Sequence, residues 1–179
     1  KSLPVKPSDR WRMNNELAKA YISAKDFAKA AVAAKAGFDA SKLMIKLGSA
    51  SVNSYDAALD SGMLLFESLR EQNKTTEADA ALIEMQDLAA SIGAPDFFFY
   101  SADRLITYQI ESGRKALGME TYLAMLLKAG KDLPLKGQQT DAIAKLKRRE
   151  KQYKLIGEPA PEMVSIQAWF PGETKSLAA

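Results

Sequence analysis

The sequence predicts an all-α fold in which antiparallel helix pairs stack side by side into a short solenoid, followed by a short extended or strand-bearing C-terminal tail. Three observations carry this expectation. No proline falls between Pro7 and Pro95, and that span is rich in Ala, Leu, Met, Lys and Glu, the strong helix formers. Apolar residues recur there at three- and four-residue steps, and short polar stretches break the pattern into segments. Three of the seven prolines, Pro159, Pro161 and Pro171, fall after residue 155, where the helical pattern stops.

The first pair covers residues 10–48. Leu17 and Tyr21 mark one helix and Phe27, Ala30, Ala31 and Ala34 the next, with a break at residues 23–26. Small alanines at the facing positions let two helices approach closely. Residues 41–47 can form a further short helix. In the second pair Asn53 or Ser54 can cap a helix carrying Ala57, Leu64, Leu65 and Leu69. After the polar turn at residues 71–76, Thr76 can cap a helix carrying Ala80, Leu82, Ile83, Met85 and Leu88, which ends at Gly93. Pro95 suits a first helical position and opens the third pair, which turns at residues 111–113. A seventh helix starts near Gln138 and carries Ile143, Leu146, Tyr153 and Leu155 inward. The expected division is a helical domain over residues 1–154 and a distinct segment over residues 155–179.

Composition narrows the chemistry. The 179 residues contain no cysteine and no histidine, which removes thiolate nucleophiles, disulfides, imidazole bases and the usual zinc ligands. Glu67, Glu71, Glu77, Asp79, Glu84 and Asp87 lie on alternating faces, and no phosphate-binding glycine loop or nucleophile elbow is present. No catalytic residue, cofactor or metal is therefore expected within the chain. No apolar run is long enough to span a bilayer. Residues 1–50 hold ten basic against four acidic side chains, residues 51–139 eight against thirteen, residues 140–154 six against two, and residues 155–179 one against three. An acidic middle between two basic regions is a poor match to the continuous basic face of a nucleic-acid binder, so no nucleic-acid partner is expected. The cations from Lys145 to Lys154 read instead as a helix face lying on that acidic middle.

The first pair has a family likeness. Residues 17–37, LAKAYISAKDFAKAAVAAKAG, resemble the tetratricopeptide repeat. Leu17, Ala18 and Tyr21 match its first helix, and Phe27 and Ala30 match the opening of its second. Lys25 stands in place of the turn glycine, Asn14 in place of the tryptophan-like residue, and Ala34 where a larger side chain is usual. The resemblance implies a curved stack whose first helices line a groove for a protein or peptide partner. Arg12, Asn15 and Lys19 then fall near positions that in some members hold a peptide carboxylate; the alternative is ordinary surface. The run Phe97, Phe98, Phe99 and Tyr100 points around most of a helix, so at least one ring must face a neighbouring unit, a partner or solvent. Phe98 and Tyr100 join Arg12, Asn15 and Lys19 as candidate partner-binding residues. Monomer and homodimer both fit.

The tail carries a second likeness. Residues 163–169, MVSIQAW, alternate as a strand does, and Pro171–Gly172 make a turn. Residues 156–163, IGEPAPEM, with residues 169–172 and 176–179, resemble the entry to a thioredoxin-fold domain of the TlpA/ResA and AhpC/TSA-like class. That resemblance implies an extracytoplasmic, periplasmic thiol-disulfide oxidoreductase whose CxxC lies beyond residue 179, with the helical region as its non-catalytic docking or scaffolding module. The other expectation is an independent peptide-binding adaptor.

Overall fold

The computed structural model describes residues 6–48 and 52–159. Among these the chain forms seven helices: α1 (Pro7–Ser23), α2 (Phe27–Lys46), α3 (Val52–Glu71), α4 (Thr75–Ser91), α5 (Pro95–Glu111), α6 (Lys115–Asp132) and α7 (Lys136–Leu155). Each packs on its neighbours in sequence. Odd helices also meet odd ones, α1 on α3 and α5 on α7, and α4 meets α6. Packing confined to near neighbours is the pattern of a stack of helical pairs, consistent with a short solenoid of the tetratricopeptide kind, and not of a closed four-helix bundle.

One turn, used four times, sets the spacing of the helices. Lys25, Asn73, Gly93 and Gly113 all take a left-handed backbone, with φ of 57°, 57°, 66° and 81°. Around Lys25 the amide of Asp26 donates to the Tyr21 carbonyl and that of Lys25 to the Ile22 carbonyl. The same two bonds recur at Asn73, Gly93 and Gly113, so the last carbonyls of α1, α3, α4 and α5 are closed by a Schellman motif. In each case the next helix begins two residues after the left-handed one. Lys25, expected to replace a turn glycine, does adopt the glycine-like conformation.

Three boundaries read from residue type are corrected. Thr76 is not a cap: α4 already starts at Thr75, and Lys74 is its N-cap. Asn53 and Ser54 lie inside α3, which begins by Val52. Residues 41–46 form no separate helix and are the last turns of α2. The start of α2 carries a side-chain cap, Asp26, whose carboxylate accepts from the Lys29 amide at 3.2 Å.

The expected extended tail needs a correction as well. No strand or extended segment occurs among the described residues, and the strand expected at residues 163–169 and the turn at 171–172 lie outside them. What residues 156–159 do is finish α7. Gly157 takes φ 79°, the Ile156 amide donates to the Gln152 carbonyl, and the Glu158 amide donates to the Leu155 carbonyl. A glycine just past a helix end with proline close behind is the ordinary way to stop a helix, and that accounts for the phrase that looks like a domain junction.

The larger core cluster runs through α2 to α7 and includes Phe38, Phe66, Leu82, Met85, Phe98, Leu105, Ile106, Leu146 and Tyr153, all fully buried or nearly so. A smaller one joins Ala18, Ala33, Ala34, Leu65 and Ala81. α5 and α6 touch closely at Gly118, where a Cβ would stand 2.6 Å from Ile110 Cγ1 and 3.1 Å from the Ile106 carbonyl oxygen. Because part of that obstacle is backbone, Gly118→Ala is expected to cost about 1–3 kcal/mol in overpacking, more than the ~1 kcal/mol gained in helix propensity. Gly130, on the same helix, faces only Ile143 Cδ1 at 3.7 Å. Gly130→Ala should stabilise by about 0.5–1 kcal/mol, so urea titration of the two variants should give midpoint shifts of opposite sign.

The basic helix α7 is bound to the acidic middle of the chain. Lys145 pairs with Asp96 and Asp141, Arg149 with Asp103, and Lys115 of α6 reaches Glu158. Gln138 donates to the Gly93 carbonyl at 2.7 Å and fixes the start of α7 on the α4–α5 turn. Two buried tyrosines complete the seam. Tyr122 donates to Glu150 at 3.1 Å and Tyr153 to Asp103 at 2.6 Å. Burial first, then the neighbouring carboxylate, pushes the Tyr122 phenol up to about 12 from its ordinary 10.0. The same causes in the same order push Tyr153 higher still. The folded chain therefore keeps both protons at a pH where the unfolded chain has released them. These two tyrosines leave stability unchanged below pH 10 and lower it above, by about 1.4 kcal/mol per pH unit each, until the folded group ionises. Urea titrations on either side of pH 10 should show this fall, and Tyr153→Phe should flatten it.

Candidate functional site

Three clefts open along the odd-numbered helices. The first, about 420 Å³, lies between α1 and α3 and is lined by Ser8, Trp11, Arg12, Asp56 and Asp60, with Met44 from α2. A second, about 340 Å³, lies between α3 and the start of α5, against Tyr55, Asp56, Leu59, Pro95, Phe97 and Tyr100. The last, about 220 Å³, lies between α5 and α7, against Asp96, Phe99, Tyr100, Lys145, Arg148 and Arg149. Asp56 belongs to the first two, and Asp96 and Tyr100 to the last two. The clefts are therefore adjoining segments of one trough that crosses α1, α3 and α5, the first helices of the three pairs, and then α7.

Local sequence puts the side chains there. On α1, Trp11 donates from Nε1 to the Ala57 carbonyl at 3.1 Å and to Ser61 Oγ at 2.9 Å, which draws α1 onto α3. On α5, Pro95 opens the helix, so the four aromatics that follow fan out from the first turn. Phe97 and Phe98 enter the core, Phe99 is half-buried, and Tyr100 is left 56% exposed with its ring 5.6 Å from that of Phe99.

The residues expected at a partner site separate. Arg12 and Tyr100 both line the trough. Asn15 is buried beneath it, its Oδ1 3.2 Å from Ser61 Oγ. Lys19 is exposed, pairs with Glu16 at 2.9 Å and lines none of the three clefts. Phe98 is fully buried in the core. Sequence reasoning passed over Trp11, Tyr55 and Leu59, and read Arg148 as part of the basic face of α7. Their recurrence on the first helices was the available signal, since Tyr55 and Leu59 stand one turn apart.

The trough has mixed charge. Asp56 and Asp60, one turn apart on α3, pair with no cation among the described residues, and neither does Arg12 form an ion pair. At the other end Lys145 is held charged by hydrogen bonds to Asp141 and Asp96, and Arg149 by its bonds to Asp103. Arg148 has no carboxylate partner among the described residues; its Nε donates to the Ala144 carbonyl of its own helix. No group of acidic side chains suited to a metal ion occurs among the described residues, and no described helix is long and apolar enough to cross a membrane. A separate apolar groove of about 440 Å³, with Leu17, Tyr21, Ala28 and Val32, lies between α1 and α2.

No family model matches the chain, and no curated protein or solved structure matches it either. The thioredoxin-type resemblance is thereby corrected. A thiol-disulfide oxidoreductase of that class needs a β-sheet core and a CxxC pair, whereas the described residues are helical without a strand and the chain has no cysteine. The TlpA/ResA and AhpC/TSA-like reading fails with it, and the extracytoplasmic location inferred from it loses its support.

Proposed function

We propose that the chain is a protein-binding module whose trough along α1, α3, α5 and α7 takes an extended segment of a partner protein, without chemistry on it. The observation that carries this reading is the continuity of the three clefts through Asp56, Asp96 and Tyr100. A trough that crosses successive helices presents recognition positions in series, which suits an extended chain better than a compact small molecule. Tyr100 supplies a large, half-rigid ring at its centre, the kind of side chain that dominates interface energetics.

Selection from a display library of random linear peptides tests it. Enriched peptides should quench or shift Trp11 fluorescence, lose about tenfold or more in affinity on Tyr100→Ala, and weaken on Arg12→Glu, with thermal melting of both variants unchanged. Failure to enrich any peptide, or enriched peptides indifferent to both substitutions, would overturn the reading.

A further inference from the structure

Resting on that reading, we propose that the segment the trough takes is acidic, with its carboxylates held by Arg104 and Arg148 on the two sides of Tyr100. The other two cations that line the α5–α7 cleft are neutralised, Lys145 by Asp96 and Asp141 and Arg149 by Asp103. Arg104 and Arg148 are not. Neither has a carboxylate partner among the described residues.

Arg104 stands one turn after Tyr100 on α5, so the two share a face. Its guanidinium lies 5.0 Å from the centre of the Phe66 ring on α3, so it bridges α3 and α5 one turn beyond Tyr100, just outside the residues that line the central cleft. Its Nε is buried and makes no hydrogen bond. A planar cation fixed by stacking, with donors left over, is pre-organised for a carboxylate, since little side-chain freedom remains to be lost on binding. Arg148 shares the α5–α7 cleft with Tyr100 and is exposed. The carboxylates of this region do not compete for the two arginines: Asp96 is held by Lys145, and Asp103 by Arg149 and Tyr153. Asp56, the unpaired acid on the α3 side of the central cleft, repels a second carboxylate there and so orients the acidic part of the segment toward α5 and α7.

Three fluorescein-labelled, end-capped peptides test this by anisotropy: Glu-Glu-Phe-Glu-Glu and its counterparts with Gln or Lys in place of Glu. The Glu peptide should bind about tenfold or more tightly than the Gln peptide and weaken with added salt. Arg104→Gln and Arg148→Gln should each cancel most of that advantage. Arg148→Gln, on the surface, keeps the test decisive even if Arg104→Gln lowers the melting temperature. Equal binding of the Glu and Gln peptides overturns the charge assignment, and the trough itself still stands if Tyr100→Ala then abolishes both. Tighter binding of the Lys peptide, binding of none of the three, or preference for a single-stranded oligonucleotide over the Glu peptide also overturns it.

Discussion

Phe66→Ala is expected to lower stability by about 3–5 kcal/mol, the usual cost of deleting a fully buried ring. The ring is inaccessible to solvent, sits edge-on to Tyr108 with centroids 5.1 Å apart, and lies under Arg104 at 5.0 Å and Arg70 at 5.9 Å. Truncation therefore opens a cavity between α3 and α5, removes an aromatic pair worth about 0.5–1.5 kcal/mol, and leaves two guanidinium groups without the surface they cover. Against a total of about 5–15 kcal/mol for a typical domain, the urea midpoint should fall by about a fifth or more. Phe66→Leu keeps most of the apolar volume and should cost clearly less, while still removing the π face beneath Arg104. A cost below about 1 kcal/mol for the alanine variant would show that the helices close over the gap.

Asp103→Ala should cost about 2–3 kcal/mol, mostly from the acceptor it removes. Asp103 receives Arg149 Nε at 2.8 Å and the Tyr153 hydroxyl at 2.6 Å, so one carboxylate on α5 holds two side chains of α7. Tyr153 is fully buried, and its hydroxyl would lose its acceptor. Arg149 is more exposed and can turn to water, so its share is small. Tyr153→Phe in the Asp103→Ala background should then restore part of the loss, because it removes the orphaned donor. Equilibrium unfolding of both single variants and the double variant gives the coupling directly, and strict additivity would place the loss elsewhere.

Much of the architecture is legible in the residue order because it depends on local signals. A proline-free, alanine-rich span with apolar three- and four-residue steps leaves few alternatives to paired helices, and Gly93, Pro95 and Gly113 mark their own turns. Lys25 and Asn73 take the same left-handed turn without the glycine that would announce it, and after Asn73 the helix start is read at Thr76 instead of Thr75. The misreading of residues 156–163 has the same origin, since glycine and proline after a helix end look alike whether or not another domain follows. The trough was half visible. Arg12 is suggested by the tetratricopeptide likeness, whereas Tyr100 and Phe98 can be told apart only in the packed structure, where one ring is exposed and the other buried. Asn15 looks like a surface amide until Ser61, 46 residues away, is brought against it. Arg104 drew no attention as one basic residue among 25; its position over Phe66 is a fact of tertiary structure alone.

The confinement of helix packing to near neighbours bears on how the chain reaches and leaves its folded state. No pairing between distant parts of the sequence has to be found first, so relative contact order is low and folding should be fast for a chain of this length. Among the described residues, α1 and α2 pack on the rest of the stack through α3. α1 and α2 can open by breaking their contacts with α3, leaving α4 to α7 intact, so amide hydrogens of the first pair should exchange sooner than those of α5.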